Sequence, residues 1–146
     1  MGELTLDDDH DLNERVRRAE DLLAIHQLLD DYGLHLDAWD FGAYAQLFAE
    51  DGEVDLGPYG QARGRVAIRE LVEHASGPKG SAVRIISNKR IELDGDRATS
   101  TAMFTVLVPG ADGRVTVASV GHHHDELRRE DGRWCFARRR ADIDLP

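Results

Sequence analysis

Basic charge is scarce in this sequence. Its 146 residues hold 18 lysines and arginines against 28 aspartates and glutamates, a formal charge of −10 at pH 7. Phosphate binding needs a basic footprint, so nucleic acid is not an expected partner. The same acidity disfavours anionic membrane surfaces. Cysteine is nearly absent. The one thiol, Cys135, excludes an intrachain disulfide and a cysteine-based zinc cluster. No apolar run approaches the ~20 residues of a membrane span. Residues 1–11 are acidic and lack the positive start and apolar stretch of a secretory leader. A cytoplasmic protein is expected. Dinucleotide-binding, Walker, zinc-protease and nucleophile-elbow motifs are also missing, and Gly57, Gly60 and Gly64 read as turn glycines.

What is present suffices for one core, with 41% hydrophobic residues. Residues 1–11 read as a solvated acidic arm and 12–146 as a single domain. Asp11 and Glu14 have the spacing of a capping box. Apolar residues then recur every three or four positions from Leu12 to Leu36, which predicts one long helix over about 12–37. A second helix is expected from Phe41 to Phe48, a short strand at Val54 and Leu56, and a third helix over about 65–75. The second half changes to segments rich in Val, Ile, Thr and aromatics, near 82–93, 97–108, 114–129 and 133–143. Between them stand Asp94-Gly95-Asp96, Pro109 to Gly113, and Asp131-Gly132, which suit tight hairpins. Helices first and strands afterwards imply an α+β fold, with helices on one face of a curved antiparallel sheet and a pocket between them.

Several side chains could carry chemistry. Asp37 ends the long helix at the border of its buried face. Partial desolvation and the negative end of the helix both favour protonation there, so it reads either as a general base or as a helix-end cap. The run His122-His123-His124 lies in a strand, where alternation puts His122, His124 and Glu126 on one face and Gly121, His123 and Asp125 on the other. His-x-His lacks a third ligand at metal spacing, so no metal is expected. His123 reads as a pocket acid or base, or as one of several half-exposed strand histidines. In the last strand, alternation places Trp134, Phe136 and Arg138 on one face and Cys135, Ala137 and Arg139 on the other. Arg139 could form a cationic wall for an oxyanion, or belong to a solvated basic strand end. Arg84 is open to the same two readings. An outer sheet face bearing Trp134 and Phe136 would suggest a homodimer.

The stretch Leu28 to Asp37, then Asp40, then Leu47-Phe48-Ala49-Glu50-Asp51-Gly52, resembles a known pattern. So do the later Gly64-Arg65, Asn88, Asp94-Gly95-Asp96 and Asp131-Gly132-Arg133-Trp134. Together they resemble the SnoaL-like branch of the nuclear transport factor 2-like superfamily over about residues 12–143. That resemblance implies a cone-shaped α+β barrel with a deep pocket and chemistry without a cofactor, as in dehydratases, ketosteroid isomerases and polyketide cyclases. It implies a lyase or isomerase acting on a small cyclic, mostly apolar carbonyl or hydroxyl compound. Asp37 matches the family's basic aspartate. Its usual histidine partner falls on Arg84, so that dyad is altered. The resemblance implies Arg139 and His123 in the pocket, with Tyr32, Val54, Met103, Ser119, Gly121 and Asp125 around it and Ala141 as a small wall residue. Alternatives are a non-catalytic ligand-binding or accessory subunit of the same fold, and a polyketide cyclase.

Overall fold

The computed structural model describes residues 6–146. Its first element, α1, runs Leu6–Asp37. The helix thus begins before the expected start, and residues 6–11 are helical rather than an arm; residues 1–5 lie outside the described residues. Only the second half of α1 is packed. Ile25, Leu28, Leu29, Tyr32 and Leu36 are buried, whereas Leu12 and Val16 stay about half exposed at 49% and 47%. The early apolar stripe therefore has the spacing of a core face without a core beside it.

Helix α2 spans Phe41–Gln46 and is capped by Asp40, whose side chain accepts a hydrogen bond from the Ala43 amide at 3.0 Å. It stops earlier than its apolar pattern suggests. Phe48 instead starts strand β1, Phe48–Asp55, because the sheet claims its backbone: Phe48 pairs with Phe136 of β6, Arg133–Leu145. Gly52 permits the irregularity between the two paired stretches. A Cβ there would sit 2.9 Å from the Phe136 carbonyl oxygen and 3.0 Å from that of Ala49.

A turn of 3-10 helix at Gly57–Tyr59 and the short strand β2, Gln61–Arg63, lead into α3, Arg65–Ala75. Strands β3, Val83–Asp94, β4, Arg97–Pro109, β5, Val115–Glu130, and β6 then form the expected antiparallel meander. The order is β2-β1-β6-β5-β4-β3. Because β1 runs parallel to β6, the sheet is mixed rather than antiparallel throughout, and it remains open. The fold is α+β, with the helices against the sheet's inner face. Tyr32, Tyr44, Phe48, Ile68, Val72 and Phe136 belong to the core between them.

Strand β6 departs from simple alternation. Leu127 pairs with Phe136 but Glu126 pairs with Arg138, so Ala137 is an extra residue in β6. This bulge turns Phe136 and Arg139 to the same face, correcting the expectation that they point opposite ways. The Arg139 guanidinium carbon lies 4.2 Å from the Phe136 ring. Trp134 and Phe136 are 5% and 0% exposed, so the aromatic outer face invoked for a homodimer does not exist.

Candidate active site

Helices α1 and α3 stand off from one end of the sheet and leave a cavity of about 370 Å³. Tyr32 and Leu36 come from α1, Val72 and Ala75 from α3, and Ile86, Phe104, Val106, Val108 and Ile143 from the strands. Among the polar lining residues are Arg84, Ser119, Tyr59 and His123. An apolar enclosure with few polar groups suits a compact organic ligand.

Alternation along β5 aims His123 inward, as expected. Its ring packs between Phe104, at 4.7 Å, and Tyr32, at 5.0 Å and nearly edge-on. His123 is 3% exposed, and its Nδ1 has no hydrogen-bond partner among the described residues. Burial, reinforced by the charge of Arg139 and by His124 and His122, pushes its pKa well below the usual imidazole value. The imidazole is therefore neutral near pH 7. His122 and His124 face outward. His122 contacts Asp144, and His124 Nε2 lies 3.2 Å from an Asp142 oxygen.

Arg84 forms part of the cavity wall, but its charge is already matched. Its Nη1 donates to Asp37 Oδ1 at 2.7 Å, and its backbone amide donates to Asp37 Oδ2 at 2.9 Å. Asp37 does not line the main cavity. It lines a small adjoining recess of about 30 Å³, which shares Leu36, Ser76 and Arg84 with the cavity. Arg84 thus stands between the carboxylate and the cavity, and Asp37 and His123 do not converge directly.

Beneath the floor lies a buried ion pair. Asp125 accepts from Arg139 Nε at 2.6 Å and Nη2 at 2.9 Å, and Ser100 donates to it at 2.8 Å. Both charged side chains are fully buried. Burial acts against the Arg139 charge, but the Asp125 carboxylate outweighs it and holds the guanidinium's pKa above its ordinary value. The Arg139 guanidinium carbon lies 4.2 Å from the centre of each of the Tyr32 and Phe136 rings, which meet nearly edge to face. It does not reach the cavity, so the cationic wall expected of it is absent.

A family model described as a SnoaL-like domain matches residues 17–140. The chain belongs to the SnoaL-like family. Solved structures related to this SnoaL-like chain include an NTF2-like protein with a cystatin-like fold from Novosphingobium aromaticivorans. It is 26% identical over 98% of this chain and 92% of that one, with TM-score 0.84. Rv3472 of Mycobacterium tuberculosis, a protein of unknown function solved as an aspartate-to-asparagine variant, is 30% identical. The match covers 85% of this chain and 76% of that one, with TM-score 0.76. A provisionally assigned scytalone dehydratase from N. aromaticivorans is 25% identical over 88% and 87% of the two chains, with TM-score 0.76. No curated protein matches the chain.

Of the pocket positions implied by the SnoaL-like resemblance, Tyr32, Ser119 and Ala141 do line the cavity. Val54 instead lies in the core at 2% exposure. Met103 pairs with His122 and shares its outward face, where its sulfur accepts from Asn88 Nδ2 at 2.9 Å. Asp125 is sealed beneath Arg139. Gly121 makes room rather than contact: a Cβ there would fall 2.4 Å from Phe104 Cζ and 2.2 Å from the Asp142 carbonyl oxygen. Phe104, opposite that glycine, is a wall residue that neither polar chemistry nor the family pattern marks in the sequence.

The SnoaL-like floor also predicts a pH dependence of stability. Above the ordinary imidazole pKa, His123 is neutral folded and unfolded. Below it, the unfolded chain takes up a proton that the buried ring refuses, so stability falls as pH drops from about 6.5. His123→Gln should flatten this dependence. Melting temperatures of both proteins between about pH 8 and pH 5 check it; parallel profiles would show that His123 titrates normally.

Proposed function

We propose that this SnoaL-like chain is a cofactor-free lyase or isomerase, dehydratase- or cyclase-like, acting on a small cyclic, mostly apolar compound bearing a carbonyl or hydroxyl. The observation that carries the reading is His123, 3% exposed between Tyr32 and Phe104, in the wall of a mostly apolar cavity. A substrate oxygen over His123 would receive a hydrogen bond from the ring, which stabilises negative charge developing on that oxygen. Arg84 would move from Asp37 toward the same oxygen, freeing the carboxylate to take a proton from the carbon beside the carbonyl. For a β-hydroxy ketone, the electron pair of that C–H bond forms the new double bond. Hydroxide departs and leaves as water with the proton that Asp37 accepted. The similarity to the provisionally assigned scytalone dehydratase supports a dehydration of this kind.

A panel of one- to three-ring β-hydroxy ketones, followed by the ultraviolet absorbance of the conjugated product, tests the reading. Catalysed product formation from a member that fits the cavity is expected. A second reading, a ligand-binding module of the same fold, is favoured by the position of Asp37 outside the cavity with both oxygens engaged. Panel members that raise the melting temperature and remain chemically unchanged would favour the binder.

The reading places the protein in the cytoplasm as a homodimer. No helix among the described residues is long and apolar enough to cross a membrane. Val83 and Ile85 of β3 and Val117 of β5 are about half exposed, at 55%, 47% and 56%, an apolar surface that a second copy would cover. Light scattering at micromolar concentration should give twice the chain mass; the mass of one chain would remove the dimer.

A further inference from the structure

Four strands share one rung of the cavity's sheet wall. Ile86 of β3 pairs with Phe104 of β4, Phe104 with Gly121 of β5, and Gly121 with Ile143 of β6. Ile86, Phe104 and Ile143 line the cavity. Gly121 leaves a gap in that row, and Phe104 fills it. A Cβ at 121 would collide with two atoms of the Phe104 ring, as it would with the Asp142 carbonyl oxygen. The next rung toward the core is built differently. His123 pairs with Ala102 on one side and Ala141 on the other. Two methyl groups do not cover an imidazole. Its cover comes from Phe104, centred 4.7 Å away with the ring planes at 32°, and from Tyr32 of α1.

Phe104 is the largest apolar side chain that the sheet contributes to the lining. Its ring stands where the cavity would otherwise continue over Gly121 toward the imidazole. The cavity, at about 370 Å³, is near the small end of the range for small-molecule sites, about 300–1,000 Å³. The volume of one phenyl ring is therefore a large share of what a ligand can use. A rigid fused-ring ligand cannot bend around that ring, and a close-packed wall does not yield to it cheaply.

We propose that Phe104, seated over Gly121, is the specificity-determining residue of this cavity: it narrows the end at His123, so that the site admits compact cyclic ketones and turns away steroid-sized ones. This deepens the proposed function and takes its ligand class from that reading. A size limit has a signature that packing alone lacks. If Phe104 only supports the wall, its loss weakens every ligand by a similar factor. If it sets the size limit, its loss favours large ligands over small ones and changes the ratio of their affinities. Binding reads that ratio without any turnover.

Titration calorimetry with 1-tetralone, which has two fused rings, and estrone, which has four, tests the proposal on the parent protein and Phe104→Ala. The parent is expected to bind 1-tetralone more tightly. Phe104→Ala should shift the ratio of affinities toward estrone by about 10-fold or more, the scale on which pocket volume discriminates. Where circular dichroism shows the alanine variant unfolded, Phe104→Leu takes its place and should shift the ratio in the same direction by less. Ile143→Ala removes bulk from the same rung on the far side of Gly121 and should move the ratio far less than Phe104→Ala. An unchanged ratio in the folded Phe104 variant, or an equal shift in Ile143→Ala, would overturn the proposal. So would a parent that binds estrone as tightly as 1-tetralone, or binds neither. If the ratio shifts and no β-hydroxy ketone of the panel is converted, the proposed function fails and the size limit stands.

Discussion

Replacing Asp125 by alanine is expected to lower the unfolding free energy by about 3–5 kcal/mol and the melting temperature by roughly 10–20 °C. The reason is what remains. Arg139 would keep its charge at full burial, against two aromatic rings, with its carboxylate partner gone and Ser100 also unpaired. Charge neutralisation is not available to a guanidinium, which stays protonated at all ordinary pH values. The double variant Asp125→Leu with Arg139→Met removes both charges at once and should recover most of the loss. Denaturant unfolding of the two variants checks the argument. A single variant as stable as the parent would mean that bulk solvent screens the Arg139 charge.

The second large effect falls on chemistry. His123→Phe should reduce turnover of any panel substrate by about 10²–10³-fold, the usual loss for one hydrogen-bond donor to a developing oxyanion. Affinity for apolar ligands and thermal stability should be retained or improved, because a phenyl ring fits between Tyr32 and Phe104 and loses no solvation. Turnover, ligand affinity and melting temperature measured on one preparation separate this from general damage. Unchanged turnover would leave His123 as packing alone.

Much of the fold is legible in the sequence because local chemistry encodes it. The Asp-Gly turns mark the hairpins, and a period of two identifies the strands that they join. Alternation also sends His123 inward and its two neighbours outward. Three features escape that reading. The extra residue at Ala137 reverses the direction of Arg139, and nothing in the composition of Phe136 to Arg140 marks a bulge. Phe48 has an apolar residue's fit to α2, but its backbone is claimed by β6, a contact 88 residues away in sequence. Leu12 and Val16 carry a core-like spacing on a part of α1 that extends past the sheet.

The site was legible in its members more than in their arrangement. Asp37, Arg84, His123 and Arg139 are all found near the cavity or under its floor, and of the two ion pairs among them and Asp125 only that of Asp37 with Arg84 follows from the family resemblance. Asp37 belongs to Arg84, and Asp125 to Arg139. Such pairings join residues 47 and 14 positions apart, and charge alone does not say which acid meets which base. The glycine at position 121 and the ring at 104 mark the cavity wall more reliably than the polar residues do, since steric exclusion at 2.4 Å admits few alternatives.

The central claim is that this cavity moves a proton to or from carbon. Hydrogen–deuterium exchange beside the carbonyl of cyclic ketones, followed by proton NMR in D2O with the parent protein and Asp37→Asn, tests it most directly. It needs neither the natural substrate nor a leaving group. The account predicts exchange well above the buffer rate for at least one ketone that binds, and its loss in a stably folded Asp37→Asn protein. Ketones that bind the parent protein without any exchange above buffer would contradict it and make the chain a binder.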